Sequence, residues 1–134
     1  MKILANDGIS QSGIDDLTAA GFEVLTTTVA QEQLEKFINS ENIVALLVRS
    51  ATTVRKNLID ACPGLKVIGR GGVGMDNIDV SYARDKGLSV INTPAASSES
   101  VAELVFAHLF SGVRFLHDSN RNMPLEGEKK FKHL

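Results

Sequence analysis

Ile43-Val44-Ala45-Leu46-Leu47-Val48 carries no polar side chain. A strand with one wet face alternates apolar and polar residues. An unbroken apolar run of this length instead reads as a strand covered on both faces, the habit of parallel sheets flanked by helices. Toward the N-terminus, Ala30–Asn39 sets Leu34, Phe37 and Ile38 at helical spacing. Before it come the β-rich Phe22–Thr27, a helix over Ser10–Ala20 stopped by Gly21, and a first strand over Lys2–Asn6. Toward the C-terminus, Thr53–Cys62 reads as a helix ended by Pro63-Gly64, Leu65–Ile68 as a strand and Asp79–Lys86 as a helix closed by Gly87. Leu88–Asn92 is a fifth strand running out at Thr93-Pro94.

Strands and helices alternating in this way predict an α/β, flavodoxin-like fold. It is a five-stranded parallel sheet with helices on both faces, strand order 2-1-3-4-5 and right-handed crossovers. Ligands of such sheets bind beyond the carboxyl ends of the strands. That rule selects Asn6–Gly8, Arg49–Thr52, Gly69–Gly74 and Asn92–Ala96 as the candidate site.

Residues 97–134 have a different character. Ser97–Leu116 predicts one long helix, with Ser97 or Ser98 to cap it and Glu103 in its early turns. Val101, Leu104, Val105, Phe106, Leu109, Phe110 and Val113 wrap well past one stripe, so the helix must be covered on most sides. The polar stretch Asn120–Leu134, with Pro124 and Gly127, reads as a linker. The expected division is therefore residues 1–96 as one domain and 97–134 as an interdomain helix leading toward a further domain.

The 134 residues are 43% hydrophobic and 22% charged with net charge −2, a soluble composition without the basic footprint of a nucleic-acid binder. The run Lys129-Lys130-Phe131-Lys132 reads as a solvated end. No stretch approaches the roughly 20 apolar residues of a membrane span, and Asn6 and Asp7 interrupt the N-terminal run before it could serve as a signal peptide. Cys62 is the single cysteine; it reads as a small buried residue, and a reducing, cytoplasmic location is expected.

Gly69-Arg70-Gly71-Gly72-Val73-Gly74 spells G-x-G-x-x-G after an apolar strand, the letters of a dinucleotide fingerprint. That fingerprint needs its helix to begin at the glycines and an acid at the end of the next strand. Here Met75–Ile78 intervenes before a helix beginning at Asp79, and the next strand ends Ile91-Asn92-Thr93-Pro94. The glycines can instead turn successive backbone N–H groups toward an anion. With Arg70 beside them and Arg49 on the neighbouring loop, a carboxylate or phosphate is the natural ligand; a turn that only redirects the chain is the alternative.

Val48-Arg49-Ser50-Ala51-Thr52-Thr53, then Gly69–Asp79 (GRGGVGMDNID), Asn92–Pro94 and Ser98–Glu103 (SESVAE), taken in order and at these separations, resemble the D-2-hydroxyacid dehydrogenases. The resemblance covers residues 1 to about 126. Within the family it is greatest to the branch that oxidises 3-phospho-D-glycerate on the way to serine. It implies a substrate domain, a separate NAD-binding domain and a site between them. On matching positions, Arg49 and Ser50 would bind the substrate's phosphate or carboxylate. The backbone of Gly72, Val73 and Gly74 would hold the 2-oxo-acid carboxylate, with Arg70 adding charge and Val73 also near the nicotinamide of NAD. The Ser97–Leu116 helix would cross toward the NAD domain and pair two copies as a homodimer. The family's catalytic arginine, glutamate and histidine and its true fingerprint match nothing in this sequence, and His108, His117 and His133 match no catalytic position. The expectation is an inactive substrate-binding piece of a longer enzyme, with no metal. A stand-alone module binding a small anionic metabolite is the alternative. A receiver or flavin domain would need more acids than Asp7 at the strand ends, or a Ser/Thr-rich loop after the first strand.

Overall fold

Leu46 lies at the centre of a row that crosses the whole sheet: Leu25, Leu4, Leu46, Ile68 and Val90 are register partners from strand to strand. The computed structural model describes the backbone of residues 1–130 and the side chains of residues 1–123. The chain runs β1 (Lys2–Ala5), α1 (Gln11–Ala19), β2 (Glu23–Leu25), α2 (Gln31–Glu41), β3 (Ile43–Val48), α3 (Lys56–Ala61), β4 (Val67–Arg70), α4 (Val80–Asp85) and β5 (Ser89–Asn92). Helices α5 (Ser98–Val113) and α6 (Leu116–Lys130) follow. All strand pairs are parallel and the order is β2-β1-β3-β4-β5, as the sequence predicts. By its contacts the chain divides into two units, Met1–Ala95 and Ala96–Leu134.

In the first unit the strand order distributes the helices. Right-handed crossovers that step from β1 outward to β2 and then back past β1 to β3 place α1 and α2 on opposite faces. The steps to β4 and β5 keep α3 and α4 on the α2 face. The core follows this: Leu34 and Ile38 of α2, Leu58 and Ile59 of α3 and Ala83 of α4 cluster over Leu4, Leu46, Ile68 and Val90. Helix α1 adds no buried residue. Each fully buried Leu or Ile stabilises by about 1.5–3 kcal/mol, so the α2 face carries most of the packing. Cys62 belongs to this cluster at 1% exposure. Burial, with a smaller push from Glu35, raises its thiol pKa to about 11.

Local signals set most boundaries. Ser10 caps α1 by accepting from the Gly13 N–H, and Gly21 turns the chain at φ +86°, a conformation that costs glycine little. Three expectations need correction. Helix α3 begins at Lys56 rather than Thr53, because Val54 makes an isolated parallel bridge to Ile78 and so stays extended. Strand β4 runs Val67–Arg70 rather than Leu65–Ile68, since its partners on β3 are Ala45 to Val48 and Leu65 instead bonds back to Cys62.

The third correction concerns residues 97–130. The single helix to Leu116 is two helices, interrupted at Arg114-Phe115, where Phe115 takes φ +51°. Ser97 stands at the N-cap of α5 without a side-chain capping bond. Most of the expected linker is helix α6, where Asp118 in the first turn complements the helix dipole. The expectations for Phe131, Lys132, His133 and Leu134 lie outside the described residues. Helix α5 has no buried residue, and Val101, Leu104, Val105, Phe106, Leu109, Phe110 and Val113 are each more than half exposed. Among the described residues no helix is long and apolar enough to cross a membrane.

Candidate anion-binding site

One residue beyond the Leu46 row, side chains point to the other face. There Leu47, Gly69 and Ile91 are register partners, and α1 does not cover them. They floor a cleft of about 640 Å3 at the carboxyl ends of β1, β3, β4 and β5, walled by Asp7, Gly8, Ile9, Ser10, Arg49, Arg70, Gly71, Asn92 and Thr93. Gly69 leaves room for Leu47 on this face: a Cβ at that position would stand 2.7 Å from Leu47 Cδ2 and push that side chain aside. All four loops selected by the strand-end rule therefore contribute to one site.

A buried polar network shapes its rim. Asn6, 3% exposed, accepts from Val29 N–H at 2.8 Å and donates to Val29 O at 3.1 Å and Thr52 Oγ1 at 2.8 Å. Asp7 Oδ2 accepts from the N–H groups of Arg49 at 2.7 Å and Thr52 at 3.1 Å, and Asp7 Oδ1 accepts from the Thr52 hydroxyl. Partial burial pushes the Asp7 carboxyl pKa up. The Thr52 hydroxyl and the N–H groups of Arg49, Thr52 and Ala51 outweigh it and hold the pKa below the usual carboxylate value. Asn77 approaches from the other side and donates to Arg49 O at 2.8 Å and Thr52 O at 2.7 Å.

The two arginines differ. Arg70 donates to Arg49 O at 3.2 Å and pairs with Asp76 at 3.3 Å, its side chain only 13% exposed. Arg49 is exposed, lies along Gly71, and its guanidinium meets no acceptor among the described residues. In the glycine loop, Gly71 N–H bonds to Val48 O and Gly72 N–H to Thr93 Oγ1, while Asn92 donates to Val73 O. Among the described residues nothing accepts from the N–H groups of Val73 and Gly74. One uncommitted cation and two uncommitted N–H groups thus lie on adjacent loops, a donor set suited to a small carboxylate or phosphate.

The same loop does not suit a dinucleotide. Helix α4 starts at Val80, well past Gly74. Its N-terminal Asp79 carboxylate is already taken by Arg55 at 3.0 Å and Lys56 N–H at 3.0 Å, and these partners, the backbone N–H first, lower its pKa. Strand β5 ends in Asn92, not an acid. No hydride-transfer step is assigned to these residues. No group of three His, Cys, Asp or Glu side chains among the described residues could hold a metal ion.

Of the residues singled out from the sequence, Arg49 and Arg70 wall the cleft, whereas Ser50, Gly72, Val73 and Gly74 sit on the same two loops outside its wall. Sequence reasoning missed the roles of Thr52, Asn77 and Thr93 and gave Asp7 no partner. The available signal was polar residues placed directly after strand ends.

Comparison with known proteins agrees with the fold and identifies the family. Residues 3–122 match the family described as D-isomer specific 2-hydroxyacid dehydrogenase, catalytic domain. A D-3-phosphoglycerate dehydrogenase of Methanocaldococcus jannaschii is 40% identical over 98% of this chain, which spans 25% of that protein. A hydroxypyruvate reductase of Thermotoga maritima is 43% identical over 70% of the chain and 30% of its own length. The NAD+-bound 3-phosphoglycerate dehydrogenase of Entamoeba histolytica superposes with a TM-score of 0.68 at 28% identity, covering 85% of this chain and 39% of that one. The chain thus spans well under half the length of these relatives. With the fold and a family match over residues 3–122 in agreement, this chain belongs to the D-isomer-specific 2-hydroxyacid dehydrogenases.

Proposed function

We propose that this chain supplies the substrate-binding part of an NAD-dependent dehydrogenase that oxidises 3-phospho-D-glycerate to 3-phosphohydroxypyruvate. The observation that carries the reading is the free Arg49 guanidinium beside the free N–H groups of Val73 and Gly74. Two separated anion-binding elements suit a ligand with two anionic ends, and 3-phosphoglycerate has a carboxylate and a phosphate. Arg49, with Ser50, takes one end; the N–H groups of Val73 and Gly74 take the other, with Gly72 shaping the loop through its bond to Thr93, and Arg70 lends charge while it holds the loops together. The names of several relatives support the same substrate. NAD is held mainly by residues that this sequence does not contain, with Val73 near its nicotinamide end, and the 134 residues alone do not turn over.

Helix α5 supports a second element of the reading. Its apolar residues face solvent on more than one side, and we infer that a second copy of the chain covers part of that surface to give a homodimer. Amide shifts of the 134-residue chain, titrated separately with 3-phospho-D-glycerate and D-lactate, test the ligand. The phosphorylated acid should move Arg49, Val73 and Gly74 at the lower concentration. Equal response to both, or shifts confined to other loops, would overturn the assignment.

A further inference from the structure

We propose that Asp7 and Asn77 are positioning residues for this site: from opposite sides they fix the Arg49–Thr52 turn, and through it the place of the Arg49 guanidinium against the glycine loop. The proposal rests on the anion-site reading above. No backbone hydrogen bond closes residues 49–52 on themselves, so the shape of the turn is imposed from outside. Asp7 takes the N–H groups of Arg49 and Thr52. Asn77 takes the carbonyls of the same two residues. Each end of the turn is therefore held through both its donor and its acceptor.

The polarity of the two clamps is complementary and not interchangeable. An ionised carboxylate only accepts, which matches the N–H groups and hydroxyl facing Asp7. The Asn77 NH2 only donates, which matches two carbonyls. Asn77 also keeps its Oδ1 buried without a partner, although the residue is 7% exposed. A buried acceptor left unpaired is costly, and an apolar side chain filling the same space would avoid that cost. What the amide contributes here is its donor side. Neither clamp needs to touch a ligand, because Asp7 has both oxygens engaged and Asn77 lies beneath the turn.

The test uses the 134-residue chain with Asp7→Ala, Asn77→Asp, Arg49→Ala and the double variant Asp7→Ala/Arg49→Ala. Asp7→Ala removes the acceptor shared by both N–H groups, which an asparagine could keep by turning its amide oxygen to them and its NH2 to the Thr52 hydroxyl. Asn77→Asp sets acceptors against the two carbonyls. Amide hydrogen exchange at Arg49 and Thr52 reads the clamp, and titration with 3-phospho-D-glycerate reads the site. Each clamp variant should lose protection at those amides and weaken binding about tenfold, the scale of one or two hydrogen bonds. The double variant should bind no worse than Arg49→Ala alone, since a residue acting through Arg49 adds nothing once Arg49 is gone. If Asn77→Asp does not fold, Asp7→Ala carries the test, because Asp7 lies at the edge of the cleft.

Unchanged affinity in Asp7→Ala alongside a weakened Arg49→Ala would overturn the proposal. So would losses that multiply in the double variant, the mark of general scaffolding. If Arg49→Ala binds as well as the parent, the site reading fails and the positioning role fails with it. Amide exchange would still show whether the clamp itself exists.

Discussion

Leu46 and Leu47 are adjacent in sequence and opposite in environment, which makes them a direct test of the sheet described above. Leu46 is 0% exposed and packs in the cluster of the α2 face. Truncation there removes a fully buried side chain at the centre of the sheet, where neighbours on both sides limit collapse. The expected cost of Leu46→Ala is about 3 kcal/mol, within the usual span for buried leucines. For a unit of this size that lowers the melting temperature by roughly 12–24 °C. Leu47 is half-buried and floors the cleft. Solvent already reaches it, so Leu47→Ala leaves no closed cavity and should cost about 1 kcal/mol.

The assay is urea unfolding followed by far-UV circular dichroism, with midpoints and slopes compared at one protein concentration. A ratio near three between the two losses, at constant slope, is expected. Equal losses would refute the reasoning, because they would mean that both faces are packed alike and that Leu47, Gly69 and Ile91 are not an open wall.

Three further outcomes follow from other parts of the molecule. Cys62 should stay unmodified by a thiol reagent at pH 8 in the native chain and react fully in denaturant, since burial holds its pKa near 11; rapid native labelling would contradict the packing. Because the folded Asp7 pKa is lowered, its stabilisation is present above the unfolded value, about 3.9, and is lost as pH falls through the folded value. Asp7→Asn should therefore be less stable than the parent at pH 7, with the gap narrowing in acid; a gap constant from pH 7 to 2.5 would refute this, as read from urea midpoints. Sedimentation at micromolar concentration should give a dimer for the chain and a monomer for Phe106→Glu/Phe110→Glu. These two rings stack at 6.2 Å on exposed α5, and a monomeric parent would remove the proposed pairing.

The central strand is the part of the fold most completely legible in the sequence. Six apolar residues, too few for a typical helix and rich in β-branched side chains, read as a strand, and Ile43–Val48 is β3 without change. The expected cover on both faces holds only for the α2 face, since Leu47 is half-buried and floors the cleft. Helix α3 shows where legibility ends. Thr53-Val54-Arg55 could begin a helix on local grounds, yet the Val54 backbone exchanges hydrogen bonds with Asn77 and Asp79. A pairing across more than twenty residues leaves no local trace. The break at Phe115 is similar: the apolar pattern runs on through it, and a left-handed phenylalanine has no sequence signature comparable to glycine's.

The candidate site was legible to a different depth at each of its parts. The rule of strand ends found its loops, and the displaced start of α4 was enough to read the glycine motif as something other than a dinucleotide fingerprint. What the sequence could not supply was the assignment of partners. Arg49 and Arg70 stand on neighbouring loops as equivalent candidates, one residue type in similar contexts. The fold separates them, because Asp76 lies close enough to pair with Arg70, while Asp7 and Asn77 occupy only the backbone of Arg49. The guanidinium left without an acceptor is the one the site can offer to an anion. In the proposed site, recognition depends on which charges the protein has not already satisfied, and that is decided by contacts between residues far apart in the chain.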